Sequence, residues 1–186
     1  MRERKVKKLF QGRWLSIKRA TYRTPGGGVV EWEVVERTRQ ETVILLLARL
    51  LPSGRVILLR QFRAGINQPV IALPAGVVPP EGDLAEYAAR ELAEETGYRG
   101  RVAAVSVPLK INPAILDCDA FVFEMEVDES DPANLSPRQE LEPEEEIEVL
   151  LVPEKEVNVF LRKARDSGTA VDVSCWLAFR GVSRET

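Results

Sequence analysis

Two back-to-back apolar runs, Thr42–Leu50 and Val56–Phe62, constrain this chain more than any other feature. Each is rich in Val, Ile and Leu and too short for an ordinary helix, and neither alternates polar with apolar positions. That pattern belongs to central strands covered on both faces. The connector Leu51-Pro-Ser-Gly-Arg55 supplies turn chemistry between them. A sheet sandwiched between other layers follows, and 186 residues with 45% apolar content are enough for one such core and a small appendage. The longest uncharged apolar run, Val43–Ala48, is far below the roughly 20 residues of a membrane-spanning helix. The charged N-terminal stretch does not lead into the apolar segment of a secretory signal, so the expectation is a cytoplasmic protein without a membrane partner.

Around these strands the chain is punctuated clearly. The first forty residues alternate apolar and polar positions over Val6–Leu9, Trp14–Tyr22 and Val29–Val35, with Thr24-Pro-Gly-Gly-Gly28 as a turn, and predict an antiparallel hairpin. The basic cluster Arg2–Lys8 reads as a solvated strand edge. A Pro- and Gly-rich loop over 73–82 precedes a helix at Leu84–Thr96, which has Asp83 as N-cap, Glu86 in a capping-box position and Gly97 as the stop. Beyond it the pattern predicts strands at Val102–Val107, Ala120–Val127 and Ile147–Val152, a helix over Glu154–Arg165 and a last one near Val171–Arg180. The segment Asp128–Glu146, rich in Pro, Asp and Glu, reads as a loop. No internal repeat is visible.

Composition removes several kinds of chemistry. The chain has no histidine, so imidazole acid/base catalysis and His-held zinc are excluded. Cys118 and Cys175 are solitary and far apart, which leaves no CxxC pair. A balance of 26 basic against 29 acidic residues gives no global field for nucleic acid. Function must come from a local site built on Asp, Glu, Lys, Tyr or Cys.

On the Leu84–Thr96 helix, Glu91, Glu94 and Glu95 stand at i, i+3 and i+4 and share one face. A solvated surface tolerates such crowding. At about 100° per residue, however, Glu95 lies about 20° from both Leu84 and Ala88, and Glu91 about 20° from Leu84, so these acids border the buried stripe. Partly buried, mutually repelling carboxylates must take up protons or share a cation, for which three hard oxygen donors suit magnesium. The helix alone leaves both readings open.

Gly76 and the run Arg90-Glu-Leu-Ala-Glu-Glu-Thr-Gly-Tyr98 resemble the box of the Nudix hydrolase superfamily, G-x5-E-x7-R-E-U-x-E-E-x-G-U with U usually aliphatic. The glycine, the spacing to Arg-Glu, both later glutamates and the closing glycine fall in register. Two positions depart from it: the first box glutamate is replaced by Gly82, flanked by Glu81 and Asp83, and the closing aliphatic is Tyr98. Glu86, one turn before Arg90, is placed to pair with it and compensate. Arg60-Gln-Phe-Arg63, Leu73-Pro-Ala-Gly76, Glu145-Glu-Ile-Glu-Val149 and a final helix with Asp172 and Trp176 resemble the ADP-ribose pyrophosphatase branch. Where that branch usually has Ser-Pro-Gly followed by acids, this chain has Asn112-Pro-Ala-Ile-Leu-Asp117.

The resemblance implies an α/β fold, the Nudix α/β/α sandwich with a mixed central sheet, over residues 41–186, and a small N-terminal antiparallel β appendage over 1–40 that builds a homodimer. It implies hydrolysis of the pyrophosphate bond of a nucleoside diphosphate derivative, with ADP-ribose giving AMP and ribose 5-phosphate as the leading case. By that resemblance Glu91, Glu94, Glu95 and the Ala75 carbonyl hold Mg2+, with Mn2+ as the alternative ion. Arg90 and Glu94 serve catalysis, and Glu145 is the base, with Glu144 and Glu146 as rivals. Arg63 is the candidate phosphate donor; of Trp14, Trp32 and Trp176, Trp32 is the candidate nucleobase platform because it lies in the appendage. The alternatives are a nucleotide-sugar pyrophosphatase of the same fold and a weakened nucleotide-binding module, the latter suggested by Gly82 and the altered 112–117 segment.

Overall fold

The computed structural model describes residues 4–39, 41–79 and 81–179. Arg2 of the basic cluster, Pro80 of the loop and Arg180 of the last expected helix lie outside the described residues. The chain divides into two compact units: Met1–Val43, Val77–Gly82 and Val107–Phe121 form the first, and Ile44–Gly76, Asp83–Ser106 and Val122–Thr186 the second.

In the first unit, β1 (Arg4–Gln11), β2 (Leu15–Arg23) and β3 (Val29–Arg37) form an antiparallel meander. The expected hairpin is therefore one strand larger, because the Thr24–Gly28 turn joins β2 to β3 and is closed by Thr24 N–H donating to Gly28 C=O at 2.8 Å. The chain returns to this unit much later, where the two-residue strand β10 (Leu116–Asp117) pairs parallel with β3, Leu116 opposite Val35. Every residue of β1 is exposed, so the strand is held by its ladder with β2 and not by burial.

The second unit is built on the two apolar runs. They form β4 (Thr42–Leu51) and β5 (Arg55–Arg63), and Ile44, Leu46, Ala48, Val56, Ile57 and Leu58 have no exposed surface. Each such aliphatic side chain contributes about 1.5–3 kcal/mol by leaving water, which is what pins two adjacent strands at the centre. β6 (Gln68–Ala72) and β7 (Ala75–Val78) follow, then α1 (Leu84–Thr96). Both short strands fall where no strand was expected. Their pairing comes from β5 and β4, and Leu46 N–H donates to Pro74 C=O at 2.8 Å.

After α1 come β8 (Arg101–Val105), β9 (Leu109–Lys110) and β11 (Asp119–Asp128), then β12 (Ile147–Pro153), α2 (Val157–Asp166), β13 (Ala170–Val171) and α3 (Val173–Phe179). The expected helix from Glu154 opens as a 3-10 turn over Glu154–Glu156, and the start of the last expected helix is instead β13, paired parallel with β6. The strand order β13-β6-β5-β4-β11-β8 mixes parallel and antiparallel pairs, with β12 along β5 from Arg55 to Gln61. Helices α2 and α3 share a core with these strands through Val157, Leu161, Cys175 and Phe179. This is the expected α/β arrangement with a mixed sheet. No helix among the described residues is long and apolar enough to cross a membrane.

Candidate active site

Helix α1 is fixed at both ends by the residues the sequence singled out. Asp83 Oδ1 accepts from Ala85 N–H at 2.8 Å, and Gly97 adopts φ 76° with its N–H donating to Ala93 C=O at 2.8 Å. Ala88 and Leu92 are fully buried, which sets the helix rotation and so decides where its acids point. Glu95 is only 5% exposed, Glu91 is half-buried, and Glu94 is more open.

Glu91 lies against the backbone of Gly76. A Cβ at residue 76 would stand 2.5 Å from Glu91 Cδ and 2.8 Å from its Oε2, so any other residue there would evict the carboxylate. One residue earlier, Ala75 N–H donates to Glu95 Oε2 at 2.9 Å. The loop after β6 and the acids of α1 are thus interlocked twice: Gly76 leaves room for Glu91, and Ala75 ties down Glu95.

The electrostatics of this pair are under-compensated. Burial first, with the charges of Glu91 and Glu145 adding to it and the Ala75 N–H and Arg63 opposing, pushes the Glu95 carboxyl up to about 8. Glu91 is also raised, first by burial and then by Glu94 and Glu145, against the opposing charge of Arg90. At neutral pH these groups invite a proton or a cation. Among the described residues no three Asp, Glu or Cys side chains stand in a metal-holding arrangement, and Glu94 is the most open of the three acids of α1. Carboxylate oxygens are hard donors of the kind that suit a hard divalent ion.

Arg90 does not pair one turn back with Glu86. Its guanidinium is 3.6 Å from Glu94 and 3.7 Å from Glu91, and it lies 4.7 Å over the Tyr87 ring. The attraction of two acids on the functional face outweighs one solvated glutamate. Glu145 lies in the loop before β12 and has one carboxylate oxygen accepting from Glu142 N–H at 3.0 Å. Its charge is felt at both Glu91 and Glu95. Arg63, at the exposed end of β5, is felt at Glu95 as well.

Trp32 belongs to the first unit and lines a cavity of about 620 Å³ with Tyr22, Arg4, Lys110 and Ala114. Its indole N–H donates to Ala114 C=O, and the ring remains 47% exposed. One residue escaped sequence reasoning: Gln139, in the acidic loop, donates to the Glu95 carbonyl at 2.6 Å. Nothing in its local sequence marks it, because its partners are backbone groups distant along the chain.

A NUDIX domain model matches residues 38–177, which include Gly76 and the acids of α1. The chain belongs to the NUDIX family. It is 32% identical to an ADP-sugar pyrophosphatase of Mus musculus over 157 residues, covering 80% of this chain and 72% of that one. It is 30% identical to an ADP-ribose pyrophosphatase of Saccharomyces cerevisiae, covering 80% and 68%. A crystal structure of an ADP compounds hydrolase superposes with a TM-score of 0.65 at 14% identity, covering 96% of this chain and 95% of that one, and so shares the fold. The protein is a Nudix hydrolase, and the box residues Gly76, Arg90, Glu91, Glu94 and Glu95 are those of the site just described.

Proposed function

We propose that this Nudix hydrolase splits the pyrophosphate bond of ADP-ribose with water, giving AMP and ribose 5-phosphate. The reading is carried by the interlock of Ala75 and Gly76 with Glu95 and Glu91, which holds one buried and one half-buried carboxylate side by side. The names of the mouse and yeast relatives support the substrate class. Glu91, Glu94, Glu95 and the Ala75 carbonyl would hold Mg2+, or Mn2+ in its place. When bound, such an ion offsets the charge of the pyrophosphate and lowers the pKa of water at the site.

The chain's own residues do the rest. Glu145 accepts the proton of the attacking water, from a carboxylate already oriented by Glu142 N–H. Arg90 holds Glu91 and Glu94 in register from the solvent side. Arg63 offers a planar pair of donors to a phosphate. Trp32 offers an exposed aromatic face to the base; Arg4 and Lys110 of the same cavity are both paired with Asp117. The first unit also leaves Phe10, Trp14, Val29 and Val107 exposed, an apolar surface that suits the proposed homodimer. The domain division proposed is 1–40 for the N-terminal appendage, which supplies the meander of the first unit, and 41–186 for the hydrolase, from which that unit also draws Val77–Gly82 and Val107–Phe121, in a cytoplasmic protein.

The test is product analysis with ADP-ribose and a panel of nucleotide sugars, with Mg2+ and with a chelator. Mg2+-dependent AMP release, fastest on ADP-ribose, is expected. Faster turnover of another nucleotide sugar would replace the substrate. A second reading, a module that binds without turnover, is favoured by one observation: Gly82, where the box has glutamate, adopts φ 102°, a backbone conformation that glutamate rarely enters. Binding of every compound without cleavage would establish it.

A further inference from the structure

A helix leaves its last carbonyls without intrahelical donors. In α1 the carbonyl of Ala93 is taken by Gly97 N–H, but the next two are taken from far along the chain. Glu140 N–H donates to Glu94 C=O at 2.9 Å, and Gln139 Nε2 donates to Glu95 C=O at 2.6 Å. The same Gln139 nitrogen donates to Ile147 C=O at 3.2 Å. One amide group therefore joins the end of the helix that carries Glu91 and Glu95 to the first residue of β12.

Between these anchor points runs the segment 140–146, and Glu145 is in it. The segment is folded on itself, with Glu145 N–H donating to Glu142 C=O at 3.0 Å and the Glu145 carboxylate accepting from Glu142 N–H. Gly97 lets the loop come this close: a Cβ there would stand 2.3 Å from Arg138 N and 2.7 Å from the carbonyl carbon of Pro137. Loop and helix end are in backbone contact, and Gln139 is the side chain that fastens them.

We infer that Gln139 is a positioning residue that sets where the Glu145 carboxylate stands relative to Glu91 and Glu95. The inference rests on the proposed role of Glu145 as base. Fixing both ends of a short segment removes most of its freedom. Without Gln139 the ends are held only by the Glu140–Glu94 backbone bond and the β12 ladder, and a displacement of about 1 Å at a reacting group costs on the order of 10²-fold in rate. Substrate and cation are gripped by other residues, so their affinities stay put.

The experiment uses the full chain with ADP-ribose, Gln139→Met, which keeps length and bulk but has no donor, and Glu145→Gln. Gln139→Met is expected to lower kcat by about 10- to 100-fold, with KM and Mn2+ affinity, read from the free-ion EPR signal, within about twofold of wild type. Amide exchange over 140–147 should quicken. On the Glu145→Gln background the same change should cost almost nothing more, because both act through one group. Wild-type kcat in Gln139→Met, a parallel loss of KM and Mn2+ affinity, or an undiminished extra loss on the Glu145→Gln background would each overturn the inference. Wild-type kcat in Glu145→Gln alone would overturn the base assignment and the inference with it. Should Gln139→Met not fold, Gln139→Asn, which keeps the donors but is too short to reach both carbonyls, makes the same test with the same expected loss.

Discussion

At the turn after β11, Glu129 accepts from Arg55 at 2.6 Å and from Ser53 N–H at 2.8 Å, and its neighbour Asp128 accepts from both the hydroxyl and the N–H of Ser130. Those donors hold both carboxyls below their ordinary range. On α1 of the same unit, Glu95 is buried with one N–H donor and Glu91 beside it, and both are raised. Where carboxylates serve the fold, each receives its own cation or donors. Where they serve chemistry, the fold buries them and leaves the charge to be matched by something it does not supply.

That contrast can be broken most directly at Glu95 and Glu94. Glu95→Gln and Glu94→Gln should each lower Mg2+-dependent turnover by on the order of 10³-fold with the fold retained by circular dichroism, whereas Glu129→Gln should leave kcat within about twofold. Wild-type rates in both α1 variants would sink the assignment of these acids to a cation. Next in size is Gly76→Ala, expected to cost on the order of 10²-fold by displacing Glu91 from the backbone it touches. A normal rate with normal Mn2+ affinity would show that Glu91 is dispensable where it stands.

A smaller effect should be seen in stability against pH without divalent ions. Because the folded pKa of Glu95, about 8, lies above its unfolded value, the folded state holds the proton more tightly, and this contribution is present below about 4.5 and lost as pH rises through about 8. At about 1.4 kcal/mol per unit the loss amounts to a few kcal/mol. The melting temperature of chelator-treated protein should therefore fall as pH rises from about 5, just inside that window, to about 9, just beyond it. Glu95→Gln should flatten that fall, and an unchanged slope in the variant would mean that Glu95 does not titrate with folding. Glu129 has the opposite sign: its lowered pKa gives stability present above its unfolded value and lost as pH falls through the folded one. Glu129→Gln should accordingly leave the alkaline limb alone and soften only the acid side, the smallest change of the series.

The parts legible in the sequence are those decided within a few turns or strand residues. The span of α1 was readable from Asp83 and Gly97, and the burial of Glu95 from its angular distance to Leu84 and Ala88, because capping and helical periodicity are local. The central pair β4 and β5 was readable from uninterrupted apolar runs. By contrast β6, β7, β10 and β13 have two to five residues each, and their extended conformation depends on ladder partners elsewhere in the chain. Glu86 was expected to steady Arg90, but sequence spacing does not say which of several acids a long guanidinium will choose.

Taken alone, the sequence determined which residue types could do chemistry, by having carboxylates and no histidine, and it determined that three of them share a helical face. Tertiary structure decided which of those carboxylates lost water and what stood beside them. Ala75 N–H, the bare backbone of Gly76, and the loop of Glu145 with its Gln139 fastening all meet α1 from other stretches of chain. The pKa of a carboxylate is set by solvent and neighbours in space, so only the folded chain could push Glu95 up to about 8 and hold Glu129 below its ordinary range.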